Sequence, residues 1–157
     1  MELNSGDTAW VLASTALVLL LTPGLAFFYG GMTRAKSTLN MMMMSFASIC
    51  IASIIWAIYG YSLAFDDSGS AFYGAFDLSG LGSAMGQLTN NGGIYGIPLL
   101  AFAGFQLMFA IITPALISGA IADRTKFLTW GVFVVLWVTL VYFPVAHWVF
   151  DFTVTED

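Results

Sequence analysis

Two phenylalanines four residues apart have the clearest capacity for chemistry in this sequence. Phe105 and Phe109 lie in an uncharged run from Pro98 to Ala122, so on a helix they share one face, with Gln106 beside them. We expect two stacked rings. An aromatic face attracts a small cation by about 0.5–2 kcal/mol, most strongly when the cation has lost water. The pair predicts an aromatic gate, although packing and contact with lipid are equally simple interpretations.

A second group of candidate residues closes the last apolar run. It contains His147, Trp148 and Phe150. Aromatic side chains are common at a membrane interface, and here they would also be the first π faces that an external cation meets. His147 is the single histidine, so it fits either a hydrogen bond between helices or contact with a proton or ligand. A relay would need a second group. We treat Gln106 and His147 as possible accessory residues.

The residue sets of common enzymes do not occur in this sequence. We find no phosphate-binding loop, no dinucleotide fingerprint, no Ser/His/Asp set and no paired carboxylates in an apolar run. One cysteine and one histidine are too few to close a zinc site, and Cys50 fits a small buried hydrophobe. Nucleic acid would have no basic surface to meet. The sequence therefore predicts no catalytic residue, metal, cofactor or nucleic-acid partner.

The composition indicates an integral membrane protein. Apolar residues make up 59% of the chain and charged residues 8%, against about 45–50% and 25% in soluble domains. Apolar runs of roughly 20 residues span a bilayer as helices. The predicted fold is an all-α membrane protein of one domain, 1–157. Its spans lie at about 9–31, 39–65, 97–122 and 128–150, with an outer loop at about 66–96.

The third run also carries residues that favour close packing. Gly104, Ala115 and Gly119 are small, and small residues let neighbouring helices approach. Pro114 removes one backbone hydrogen bond, which a transmembrane helix tolerates where it is packed in protein. We therefore expect the third span to be buried among other helices.

The distribution of charge predicts an orientation. All four basic residues lie in the first and third loops, namely Arg34, Lys36, Arg124 and Lys126. The positive-inside rule places such loops in the cytoplasm. Both ends of this chain and the outer loop are then extracellular or periplasmic.

One segment in each predicted span resembles the ammonium transporters of the Amt/Rh family. The segments are PGLAFFYGG at 23–31, YGYSLAF at 59–65, FQLMFAIITPALISGAIADR at 105–124 and YFPVAHWVF at 142–150. The resemblance implies a membrane domain of eleven spans with two inverted five-helix repeats, of which this chain holds four spans. It also implies a homotrimer in the inner or plasma membrane, and a PII-type regulatory protein at the cytoplasmic face.

The resemblance further implies roles for individual residues. Phe109 and Phe105 correspond to two stacked phenylalanines that close the outer pore. Phe150 stands where many members carry the tryptophan of an external cation-recruitment site. Because phenylalanine binds a cation more weakly than tryptophan, recruitment here is expected to be weaker, or shared with Trp148. His147 is not one of the family's twin pore histidines, which are expected after Asp157.

These observations predict part of an ammonium transporter. Outer aromatic side chains would capture ammonium, and a hydrophobic pore would conduct ammonia. Two alternatives remain open: an ammonium sensor whose transporter-like membrane domain is fused to a signalling module, and a standalone structural subunit of four spans. Residues after Asp157 would separate the sensor from the transporter. A stable product of this chain alone would favour the structural subunit.

Overall fold

Four long apolar helices make up most of the computed structural model, which describes residues 2–66, 68–70, 72–89 and 96–150. Each helix is long and apolar enough to cross a membrane. Within the described ranges the chain contains no strand, only two isolated β-bridges that begin in the outer loop. The expected all-α class is confirmed. The helices are α1 at Ser5–Met32, α2 at Thr38–Phe65, α3 at Leu99–Ile121 and α4 at Phe127–Val149.

The first helix begins where a side chain can cap it. Asn4 Oδ1 accepts hydrogen bonds from the amides of Gly6 at 3.0 Å and Asp7 at 3.1 Å, which satisfies two of the helix's unpaired donors. The carboxylate of Asp7 lies in the positively polarised first turn. The backbone N–H of Asn4 also donates to the Gly96 carbonyl at 3.0 Å. This bond ties the start of α1 to the end of the outer loop.

Two buried tryptophans join the helices through their indole nitrogens. Trp56 of α2 donates to the Ala103 carbonyl of α3 at 3.1 Å, and Trp130 of α4 donates to the Met44 carbonyl of α2 at 2.9 Å. Both side chains are almost wholly buried. An indole contributes a large apolar surface and one donor that needs a partner. The two bonds therefore fix how α2 meets α3 and α4.

Two π-helical segments of α2 and α4 lie against each other. They are Trp56–Gly60 and Val138–Tyr142. The hydroxyls of Tyr59 and Thr139 are 2.8 Å apart and share a hydrogen bond. The ring of Phe143 covers the glycine that ends the first segment. A π turn accommodates one extra residue and redirects the side chains that follow, which allows this ring to enter the interface.

The small residues of α3 mark its contact with α1. A Cβ at Gly119 would lie 2.7 Å from the ring of Tyr29, and the Tyr29 hydroxyl donates to the Leu116 carbonyl at 3.1 Å. Ala115 is fully buried. The predicted close approach is therefore confirmed at Gly119, whereas Ala115 is shown only to be buried. At Gly104 it is not, because no described atom lies within 4 Å of a Cβ built there.

Cys50 is exposed, so the expectation of a buried thiol was wrong. The buried side of α2 is formed by Met44, Ser48, Ala52 and Ile55, which follow one another at spacings of three or four residues. Cys50 falls outside that register. Its side chain therefore lies on a different face of the helix from the core.

Both basic loops lie at the same end of the bundle. Arg34 Nε is 3.0 Å from Asp123 Oδ2, and the Asn40 side chain donates to the Thr125 carbonyl at 3.5 Å. Hydrogen bonds from Ser37 and Arg34 lower the pKa of Asp123. The two loops are therefore held together by polar contacts. Which side of a membrane this end faces remains a prediction.

Gly60→Ala should destabilise the fold, because the added methyl group would overlap the ring of Phe143. Overpacking of this kind costs about 1–3 kcal/mol. The measurement is thermal unfolding of the purified complete gene product in detergent, followed by tryptophan fluorescence. Gly131→Ala is the matched control, since its Cβ would meet only Ile51 at 3.7 Å. Equal unfolding midpoints for the two variants would contradict the predicted contact.

Candidate functional site

The phenylalanine pair of α3 is in contact. The ring centroids of Phe105 and Phe109 are 5.1 Å apart, with an interplanar angle of 76°. The rings therefore meet edge to face, and the expectation of two stacked rings was wrong. The positive edge of one ring prefers the negative face of another over a parallel sandwich.

Phe150 lies in a second aromatic group, at the outer-loop end of the bundle. Its ring is parallel to that of Phe65, with centroids 6.3 Å apart. Phe65 in turn meets Phe102 edge to face at 5.3 Å. Residues from the ends of α4, α2 and α3 thus converge. From the sequence, Phe65 was given no role of its own, and its central position here was missed.

The third helix connects the two aromatic groups. Phe102, Phe105 and Phe109 follow one another at spacings of three and four residues, which places them along one helix face. Seven residues of helix cover about 10 Å at 1.5 Å per residue. We call Phe65, Phe102, Phe105, Phe109 and Phe150 the aromatic ridge. It runs from the outer-loop end of the bundle towards the middle of α3. Gln106 is buried on the same helix.

Trp148 has a different aromatic partner. Its ring meets Phe72 of the outer loop edge to face, with centroids 6.3 Å apart, and its side chain is exposed. Phe150 packs with Phe65 instead. The two candidate recruitment residues thus contact separate parts of the chain. A role shared between Trp148 and Phe150 remains a prediction.

His147 is buried between α2 and the outer loop. Its Nδ1 is 3.3 Å from the Ala64 carbonyl oxygen, and its Nε2 is 3.1 Å from the Ser70 carbonyl oxygen. The sequence left helix-to-helix hydrogen bonding and proton or ligand contact both open. This geometry favours hydrogen bonding, because each ring nitrogen faces a backbone oxygen.

Polar contacts also surround the backbone below Phe109. Pro114 has no N–H, so the Ala110 carbonyl lacks its usual helical donor. The Thr113 hydroxyl donates to the neighbouring Phe109 carbonyl at 2.6 Å. The Tyr142 side chain of α4 reaches the same threonine. Side-chain hydroxyls commonly support a transmembrane helix around a proline, and here they support the turn that carries Phe109.

Asp66 anchors the outer loop to the end of α2. Its carboxylate accepts hydrogen bonds from the Ser68 amide at 3.1 Å, the Ser68 hydroxyl at 2.6 Å and the Asp77 amide at 3.0 Å. Burial raises the pKa of Asp66, but these bonds, with one from Ser62, outweigh it and lower the pKa. In the part of the chain that the structure describes, no cluster of His, Cys, Asp or Glu side chains fits a metal ion.

The sequence model of the Ammonium Transporter Family matches residues 9–156. The chain belongs to this family. The match confirms the resemblance drawn from the four sequence segments, and with the four apolar helices it makes the chain part of a multi-pass membrane protein.

Named relatives agree with this assignment. The ammonium transporter of Mycobacterium tuberculosis strain H37Rv is 54% identical over 162 residues, covering 95% of this chain and 34% of the relative. A putative ammonium transporter of Methanothermobacter thermautotrophicus is 49% identical over 154 residues, covering 95% of this chain and 36% of the relative. The crystal structure of Candida albicans Mep2 superposes with a TM-score of 0.82 at 32% identity, covering 93% of this chain and 31% of that one. The chain thus spans about a third of the length of these ammonium-transporter relatives.

Asp66→Asn should weaken the attachment of the outer loop at neutral pH. Loss of charge-assisted hydrogen bonds at this carboxylate, which is only 5% exposed, should cost about 1–3 kcal/mol of unfolding free energy. A carboxylate with a lowered folded pKa stabilises above its unfolded pKa of about 3.9, and the effect disappears as the pH falls through the folded value. Thermal unfolding at pH 7 and at acid pH should therefore show the two proteins converging on acidification.

The matched control for this change is Asp77→Asn. Its carboxylate lies 2.9 Å from the Ser68 hydroxyl, whose single proton is shared with the nearer Asp66 carboxylate at 2.6 Å, so the loss at pH 7 should be smaller. An Asp66→Asn protein as stable as the wild type at pH 7 would contradict the role of this carboxylate.

Proposed function

We propose that this chain forms part of an ammonium transporter, in which the aromatic ridge captures ammonium on the outer side and ammonia crosses an apolar pore. The observation that carries the proposal is the family match over residues 9–156. The convergence of Phe150, Phe65 and Phe102 at the outer-loop end supports the position of capture.

The energy of a cation on the aromatic ridge supports the conversion of ammonium to neutral ammonia before the membrane is crossed. One aromatic face stabilises a partly dehydrated cation by about 0.5–2 kcal/mol. A charge at the centre of a bilayer costs at least about 2.5–3.5 kcal/mol. One ring contact therefore does not offset full burial of the charge, and two rings reach the lower bound of its cost only at their strongest, so the rings favour a cation near the surface. Ammonium is held on the outer side, releases its proton to water there, and crosses as ammonia.

The depth of Phe109 fits a gate whose ring the cation meets after its first contact. Phe109 is ten residues into α3, about 15 Å from the start of the helix. Phe102 and Phe150 lie closer to the outer loop and are the first rings in reach. Phe105 and Phe109 then close the apolar pore below these two rings. Gln106 is a polar residue buried on the same helix, and it serves as an accessory contact.

The surface of the chain supports an assembly in a membrane. α1 exposes a row of large apolar side chains, among them Trp10, Leu17, Leu20 and Phe27, and such a face needs lipid or another protein helix against it. We propose a homotrimer in the inner or plasma membrane, with the basic loops in the cytoplasm. There the exposed side chains of Lys36 and Lys126 offer charge to a PII-type regulatory protein.

Phe109→Ala should raise the methylammonium concentration that gives half-maximal uptake. Loss of one ring contact of about 0.5–2 kcal/mol predicts a rise of about 2- to 30-fold. The measurement is uptake of labelled methylammonium by cells that produce the complete gene product, over a range of concentrations and normalised to protein in the membrane. Phe46→Ala, an exposed ring on α2, is the control. Unchanged uptake at every concentration would refute a role for Phe109.

Phe150→Trp should strengthen capture, because an indole is the better partner for a cation. We expect the half-saturating concentration to fall by about two- to fivefold, the equivalent of about 0.5–1 kcal/mol at an exposed site. The same uptake assay measures it. Trp148→Phe tests whether Trp148 shares in cation recruitment. A higher half-saturating concentration in that variant would show that it does. A tryptophan at 150 that leaves half-saturation unchanged would remove this position from the capture site.

A further inference from the structure

The imidazole of His147 joins three parts of the outer end of the bundle. The residue belongs to the last helical segment of α4, Phe143–Val149, and only 9% of it is exposed. Nδ1 faces the carbonyl of Ala64, near the end of α2, at 3.3 Å. Nε2 faces the carbonyl of Ser70, in the outer loop, at 3.1 Å. Among the described side chains of α4, His147 alone contacts polar atoms of both segments.

The chemistry of these contacts requires the imidazole to donate. Both partners are backbone carbonyl oxygens, which only accept. A neutral imidazole carries one N–H, so it donates to one of the two oxygens according to its tautomer, and an imidazolium would donate to both. A buried carbonyl that loses its donor is costly to leave unpaired. The side chain at this position is therefore constrained to be a hydrogen-bond donor.

One of the two segments that His147 contacts carries a residue of the aromatic ridge. Ala64 precedes Phe65, whose ring lies parallel to that of Phe150 at 6.3 Å. Phe150 follows His147 by three residues, and its amide donates to the Ala146 carbonyl at 2.9 Å. The polar contact and the ring contact thus connect the same two helix ends. The hydrogen-bonding contact of His147 with Ala64 therefore limits how far apart the rings of Phe65 and Phe150 can lie.

The contact with the outer loop has a similar consequence. Ser70 pairs with Tyr73 through a backbone hydrogen bond of 2.9 Å, and Phe72 between them packs on Trp148. Asp66 holds the start of the same loop through Ser68. His147 therefore secures the loop against α4 beyond the point where Asp66 anchors it to α2.

We propose that His147 is a positioning residue of the outer cation site. By donating to the carbonyl of Ala64 or of Ser70, and lying against the other, it holds Phe65 and Phe150 in register and keeps the outer loop against them, without itself touching the cation. The inference rests on the proposed capture of ammonium at the aromatic ridge. It assigns to His147 an effect on substrate affinity rather than on the passage of ammonia or of protons.

The test compares two side chains of similar length in the complete gene product. Glutamine can donate through its amide and methionine cannot. His147→Met should raise the half-saturating methylammonium concentration by about two- to fivefold, the equivalent of losing one weak cation–π contact. The maximal rate per molecule in the membrane should stay within about twofold, and His147→Gln should retain the wild-type half-saturation within about the same factor.

Tyr59→Phe is the matched control for a lost polar contact. It removes the 2.8 Å hydrogen bond with Thr139, which joins the same two helices but involves no residue of the aromatic ridge. The half-saturating concentration should therefore stay unchanged. The proposal is overturned if glutamine and methionine at 147 behave alike, or if Tyr59→Phe raises half-saturation as much as His147→Met. It is also overturned if only the methionine variant is missing from the membrane, since the contact would then serve folding.

Phe150→Leu separates this inference from the proposed function. If that variant raises half-saturation while His147→Met does not, capture at the ridge stands and the positioning role is refuted. If Phe150→Leu leaves half-saturation unchanged, capture at this ring is itself refuted. A rise in both variants, with rescue by His147→Gln, is the expected result.

Discussion

The constraint on which this structure depends is that a polar group in an apolar bundle must find its partner within the protein. The indoles of Trp56 and Trp130 meet this requirement by donating to carbonyls of neighbouring helices. Each bond fixes both the distance and the rotation of a helix pair, which apolar contact alone leaves loose. The positions of α2, α3 and α4 follow from these two bonds, and so does the place where their ends meet.

The aromatic ridge depends on the same arrangement. Trp56 also packs against Phe65 and Phe143, so the residue that ties α2 to α3 borders the outer aromatic group as well. Phe65 then brings together rings from α3 and α4. In the proposed transporter, this ridge would offer a neutral molecule an apolar path, and a cation would bind best at the outer-loop end.

Hydrophobic runs, charge asymmetry and four short segments were enough to predict an all-helical membrane protein and its family, because these features are local in the sequence. The ring arrangement was not predictable in this way. Whether Phe105 and Phe109 stack or meet edge to face depends on rotamers set by their neighbours. The π segments were also missed, since Trp56–Gly60 and Val138–Tyr142 have the composition of ordinary transmembrane helix. The exposure of Cys50 depends on the rotation of α2, which the apolar run around it does not encode.

The packing of the outer loop could not be predicted from the sequence. Its glycines and serines suggest a solvated connection, yet Gly74 is buried against the carbonyls of Ser62 and Asp66, where a Cβ would not fit. The loop is therefore packed onto the end of α2. Because His147 reaches the same loop from α4, the two helix ends and the loop form one unit. Phe65 and Phe150 belong to that unit, so we expect contacts that secure the loop to affect the spacing of their rings.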